Sequence, residues 1–129
     1  PGCYAAFNRY YKGKDGFDPE VILAVDLLDR MRYTGEGLVV QDPCHAKEKG
    51  SVVRRILPGA SNKNASPCCG AGAGVVSHDR PLAESKALKA FNGGTAKVVT
   101  YCPFCYCNLN AIKPGAVADI YVLLAENGC

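Results

Sequence analysis

Two groupings of cysteine constrain this chain more than any other feature: Cys68 and Cys69 are adjacent, and Cys102, Cys105 and Cys107 fall within six residues. Neighbouring cysteines rarely bond to each other, because the disulfide between them is strained. With Cys3, Cys44 and Cys129 the sequence holds 8 cysteines in 129 residues. That density belongs either to a secreted disulfide framework or to a reduced thiolate site. Disulfide-stapled domains are rich in loops, whereas this chain carries regular helix and strand patterns. The reading is therefore a reduced, metal-binding protein of the cytoplasm. The longest apolar stretches, 21–28 and 120–125, are broken by Asp26 and ended by Glu126. Neither approaches the roughly 20 residues that span a bilayer, so membrane contact is expected only through a partner subunit. A net charge of +3, no Trp and no alternation of aromatic and basic residues argue against nucleic acid.

Along the chain, helices alternate with strands. Residues 3–11 read as a short helix. Asp18-Pro19-Glu20 has the N-cap and first-turn proline of a second helix, with Val21, Ile22, Val25, Leu28 and Met31 at helical spacing. Leu38-Val39-Val40 reads as a buried strand. Asp42-Pro43 repeats the cap signal and opens a helix through Leu57, which Pro58-Gly59 ends. The 61–67 segment is a polar loop. A helix over 82–91 turns Leu82, Ala83, Leu88 and Phe91 inward and is closed by Gly93-Gly94. A strand over 96–100 leads into a helix that Cys102-Pro103 opens and that runs to about Ile112. A last strand or turn near 117–120 precedes a short terminal helix. The predicted class is α/β, with a small, mainly parallel sheet flanked by helices. Ligands of such sheets bind beyond the carboxyl ends of the strands. Cys44 and Cys102 both fall there, which places the metal site at that edge.

Thiolate, not thiol, binds metal. Cys44 and Cys105 are expected in first helical turns and Cys102 at an N-cap, where free N–H groups favour anionic sulfur. The glycines in Gly70-Ala71-Gly72-Ala73-Gly74 let backbone N–H groups approach the sulfurs of Cys68 and Cys69. Cys102-Pro103-Phe104-Cys105 alone is a weak motif. Together with Cys68-Cys69-Gly70 and Asp42-Pro43-Cys44-His45 it becomes specific.

The two ends of the sequence resemble each other. Pro1-Gly2-Cys3-Tyr4-Ala5-Ala6-Phe7-Asn8 aligns with Pro103-Phe104-Cys105-Tyr106-Cys107-Asn108-Leu109-Asn110, with Pro, Cys, Tyr and Asn in step. The expectation is a repeat: residues 1–36 as the tail of a preceding copy with a linker helix, and residues 37–129 as a cysteine-rich domain.

At this point the sequence resembles the cysteine-rich CCG domain of heterodisulfide reductase B/D-type subunits, in its C-terminal copy. Similar domains occur in iron–sulfur subunits of glycolate, lactate and glycerol-3-phosphate dehydrogenases. The family pattern is a lone Cys, then Cys-Cys-Gly, then Cys-x-x-Cys. Cys44, Cys68, Cys69, Cys102 and Cys105 match it in order. The resemblance implies that these five hold a [4Fe–4S] cluster, non-cubane in the reductases, or zinc as the alternative. It further implies an oxidoreductase subunit that reduces a small-molecule or protein disulfide with electrons from an iron–sulfur or flavin partner. The isolated chain is expected to be weakly active at best. Two other readings are an electron-transfer module of a hydroxy-acid or glycerol-3-phosphate dehydrogenase complex, and a structural zinc domain mediating subunit contact. Zinc sites normally close with four ligands, so five cysteines favour iron–sulfur. The 45–67 and 70–101 intervals are shorter than the family's, which bears on what covers the site more than on ligation.

Other residues receive blander readings. Cys107, opposite Ala5 in the repeat, is expected to be a packing cysteine, Cys3 an orphan thiol and Cys129 an accident of position. His45 and His78 are more readily surface residues than ligands or proton donors. Lys47, Lys49, Arg54 and Arg55 form a solvated face more readily than an anion attractor.

Overall fold

The computed structural model describes residues 1–62, 66–91 and 94–127. Strand β1 is Leu38–Gln41, β2 is Ser61–Asn62, β3 is Lys97–Thr100 and β4 is Val117–Asp119. They form one sheet in the order β2-β1-β3-β4, every pair parallel. The helices are α1 (Gly2–Ala6), α2 (Gly50–Ile56), α3 (Val75–His78), α4 (Arg80–Phe91), α5 (Pro103–Ile112) and α6 (Ile120–Glu126). The fold is α/β, as the sequence pattern predicts.

The order of strands decides where a site can form. From β1 the chain moves outward to β2, and from β3 it moves outward the other way to β4. The gap between β1 and β3 is thus a topological switch point, the position where open parallel sheets bind ligands. Their register pairs Gln41 with Thr100. The segments carrying Cys44 and Cys102 therefore leave the sheet side by side.

Both faces of the sheet are covered, as all-parallel sheets require. Side chains alternate between faces along a strand. Val99 and Tyr101 join Leu38, Val40, Val53, Ile56, Ile120 and Leu124 in one core. Val98 points the other way and joins Ala87, Ala90, Phe91, Leu109 and Val117 from α4, α5 and β4. Cys69, Cys102 and Cys105 belong to this second core, at its upper end.

Several sequence expectations are corrected. The helix opened by Asp18-Pro19 does not form; the segment holds only a 3-10 turn, Ala24–Leu28. Leu23 and Val25 are both buried, two residues apart, while Leu27 is 72% exposed. Leu23, extended, and Val25, in the first turn of the 3-10 helix, are the residues that join the core. Asp26, in the middle of the supposed helical stripe, instead bonds the Leu23 N–H at 3.0 Å and pairs with Lys49 at 2.8 Å. Leu82 and Leu88 face solvent, and α4 packs through Ala83, Ala87, Ala90 and Phe91. Its small residues allow close approach to the sheet and to α5. Residues 61–62 form a short edge strand rather than loop. The 3–11 helix is α-helical only through Ala6 and continues as a π-helical turn, Phe7–Tyr11. The expectations for Gly93, Cys129 and the middle of the 61–67 loop lie outside the described residues.

Candidate metal centre

Cys102 reaches the site as expected. It is the N-cap of α5, with Pro103 in the first helical position, where its missing N–H costs nothing. The Cys102 thiol is held down to about 6, first by hydrogen bonding from Cys105, against the opposing effect of burial. The N–H groups of Cys105 and Phe104 add to this from the open end of the helix, although neither makes a formed capping bond. Cys105, one turn along, is 3% exposed. Its single S–H proton is shared toward Cys102 and Cys69, and that hydrogen bonding together with burial keeps it firmly protonated. Cys69, 4% exposed, is held down to about 7 by Cys105, against burial and with help from the Ala71 N–H. These three sulfurs form one buried group in which Cys105 is the partner of the other two.

The other two are placed differently. Cys44 does not lie in a helix. The Asp42-Pro43 pair fails as a cap because the Asp42 carboxylate is taken inside the fold. Arg54 grips it with two bonds, of 3.1 and 2.7 Å, and the Tyr101 hydroxyl lies 3.2 Å away. Pro43 to Ala46 instead forms a turn, closed by the Ala46 N–H to the Pro43 carbonyl at 3.1 Å, with Cys44 and His45 at its centre. Cys44 is exposed. Loss of water on its inner side pushes its thiol up, and Cys68, to which it is hydrogen-bonded, adds to this. Cys68 is also exposed and accepts from the Gly70 N–H at 3.4 Å. Gly70 has φ +85, and a Cβ there would meet the Ala83 carbonyl at 2.8 Å. Only glycine lets the Cys68-Cys69 turn sit this close to α4.

All five cysteines line one cavity of about 520 Å³. Its remaining wall includes His45, Val76, Arg80, Phe104, Asn108 and Ile112. The volume is in the range of small-molecule sites. Five soft sulfur donors, three of them in a dry apolar core with backbone N–H groups directed at two, suit a metal–sulfur group. Among the described residues, no three His, Cys, Asp or Glu side chains are arranged to clasp a single metal ion. The seven described cysteines are free thiols.

Cys107 is a correction. It is exposed and lines the cavity, not packed in the core. It sits two residues from Cys105 on α5, so it cannot share that buried face. His45 lines the cavity too, with Nδ1 3.7 Å from the Cys44 sulfur; His78, on α3, is not among the lining residues. Three of the four basic residues after Cys44 are engaged in ion pairs: Lys49 with Asp26, Arg54 with Asp42 and Arg55 with Asp29. Sequence reasoning missed Gln41, Tyr101 and Asn108. Gln41 donates to the Pro67 carbonyl at 2.8 Å, next to Cys68. Asn108 donates to the Cys69 carbonyl at 2.7 Å. Neither has a spacing or motif that marks it.

A parallel sheet with clustered cysteines beyond its central strands defines a class of small thiolate-bearing α/β domains. The family model for the CCG cysteine-rich domain matches residues 38–110, more than half of the chain. The chain belongs to that family. The match begins with β1 and ends within α5, so it takes in all five candidate ligands. No curated protein and no solved structure matches the chain.

Proposed function

We propose that the protein is an iron–sulfur redox module of the heterodisulfide-reductase type, acting on a disulfide in the cavity above β1 and β3. One observation carries the reading. Five cysteines from three separate segments line a single cavity at the switch point of the sheet, and that cavity is open and large enough for a small molecule. Cys44, Cys68, Cys69, Cys102 and Cys105 would hold the cluster, which when bound would supply the electron transfer.

The chain's own residues do the rest. Burial of Cys69, Cys102 and Cys105 under α4 and α5 keeps water from that side of the site. Asn108 holds the Cys69 carbonyl and so the Cys-Cys turn. Phe104 and Ile112 give the outer cavity an apolar wall. His45 brings to it an imidazole that can exchange a proton near the Cys44 sulfur. Cleavage of R–S–S–R′ to two thiols takes two electrons and two protons. The electrons would come from an iron–sulfur or flavin partner, and the protons from solvent and side chains at the rim. An electron relay between subunits has no use for an open cavity of this size, which favours the disulfide reading.

The test is metal and acid-labile sulfide analysis of protein produced without oxygen, followed by assay with a viologen reductant and an organic disulfide. Iron with sulfide, and a cluster spectrum that the disulfide perturbs, are expected. Zinc without sulfide would overturn the reading in favour of a structural domain. Iron and sulfide with a spectrum indifferent to disulfides would leave an electron-transfer module.

A further inference from the structure

Tyr101 is fully buried, and its ring packs in the core with Val40, Ala46 and Val99. A phenylalanine would fill the same space. The hydroxyl is therefore not needed for packing, and burying it is unfavourable unless it is bonded. It donates to the Ala46 carbonyl at 2.8 Å and lies 3.2 Å from the Asp42 carboxylate. Those acceptors bracket the turn that carries Cys44 and His45. Asp42 is itself fixed by Arg54. The approach depends on Gly50, where a Cβ would strike both the Asp42 carboxylate and the Arg54 guanidinium. Tyr101 also leads directly into Cys102, the N-cap of α5. Its backbone thus sets one candidate ligand, while its hydroxyl sets the turn bearing another. Thr100 reinforces the link, donating to the Gln41 carbonyl at 3.1 Å across the same strand ends.

We propose that Tyr101 is a positioning residue for the thiolate site, its hydroxyl holding the Cys44 turn at a fixed place beside Cys102. The phenol acts through Cys44 and does not itself touch the cavity. The proposal concerns the geometry of the thiols; only the spectroscopic arm of its test rests on the iron–sulfur reading.

The experiment uses the full chain with Tyr101→Phe, which keeps the ring and removes the hydroxyl. In reduced, metal-free protein, iodoacetamide labelling of each cysteine is followed by mass spectrometry. Cys44 should label about fivefold faster than in the unsubstituted protein, as expected for loss of one buried hydrogen bond restraining a turn, while Cys3 on α1 keeps its rate. In protein loaded anaerobically with iron and sulfide, the electron paramagnetic resonance spectrum and midpoint potential should shift at equal iron content. A merely structural role would lower the melting temperature and the iron content together and leave the spectrum of the loaded fraction unchanged. Unaltered Cys44 labelling, or an unaltered spectrum in fully loaded variant, overturns the proposal. Should Tyr101→Phe lose its folded circular dichroism, Asp42→Asn replaces it. That variant removes the charge that Arg54 grips but leaves the Ala46 acceptor, and a smaller acceleration of Cys44 is expected; no acceleration overturns the proposal. If the unsubstituted protein takes up no iron yet Cys44 still labels faster in Tyr101→Phe, the cluster reading fails and the positioning role stands.

Discussion

The five candidate ligands fall into two groups that differ in how the fold holds them. Cys69, Cys102 and Cys105 are buried in the core with α4 and α5, and Cys105 is the hydrogen-bond partner of the other two. Cys44 and Cys68 are exposed, paired with each other, and carried on turns. Their thiols differ as well. Cys102 and Cys69 are shifted toward thiolate, first by hydrogen bonding from Cys105, which itself stays protonated, while Cys44 is shifted toward thiol, first by burial. The N–H groups at the open end of α5 add to the effect at Cys102. One half of the site is thus built into the core before any metal arrives, and the other half is held by polar contacts from below.

The largest effect should come from breaking the buried group. Cys105→Ser keeps a donor beside Cys69 and Cys102 but replaces a soft sulfur ligand with a hydroxyl, and iron and sulfide uptake on anaerobic reconstitution should be lost. Full uptake by this variant would mean that the buried trio is packing and nothing more. Next comes the exposed group. Cys44→Ser should lower iron content and change the cluster spectrum without abolishing assembly, because the buried three remain in place. Iron analysis beside the Cys105 variant makes the comparison direct, and equal losses would erase the distinction between the halves.

A smaller effect is expected from the polar support. Asn108→Ala frees the Cys69 carbonyl from its 2.7 Å bond and should cost about 1 kcal/mol of stability in urea unfolding. No loss would mean that the Cys68-Cys69 turn is held by α4 and Gly70 alone. The smallest effect belongs to Cys107→Ser. That thiol is exposed and outside the hydrogen-bonded groups described for the five, so stability should stay within about 0.5 kcal/mol and iron uptake should be unchanged. Loss of iron here would add Cys107 to the ligands.

The legibility of the site in the sequence divides along nearly the same line. Cys102-Pro103 announces an N-cap and first-turn proline, and the structure has both. Asp42-Pro43 carries an equally good local signal and does not form a cap, because Arg54 and Tyr101, distant in sequence, compete for the carboxylate. A capping bond contributes about 1 kcal/mol, and a bidentate, partly buried ion pair with an added hydroxyl can exceed it. The 18–31 segment teaches the same lesson. Its apolar residues fit a helical stripe, but only Leu23 and Val25, at the start of a short 3-10 turn, bury in the core. Cys107 was misplaced because a helix has one buried stripe, and Cys105 and Leu109, four residues apart, already define it on α5.

The amino-acid sequence by itself determined the α/β class, the core strands β1 and β3, the helix opened by Cys102, and the five cysteines whose order matches the CCG family. These are properties of periodicity, local caps and spacing, which act over a few residues and are written in the chain. Only the tertiary structure decided the strand order that makes β1 and β3 neighbours, the division of the thiols into a buried trio and an exposed pair, and the role of Tyr101 between them. Each depends on which distant groups meet, and burial changes the strength of a hydrogen bond or the charge of a thiol only after they have met.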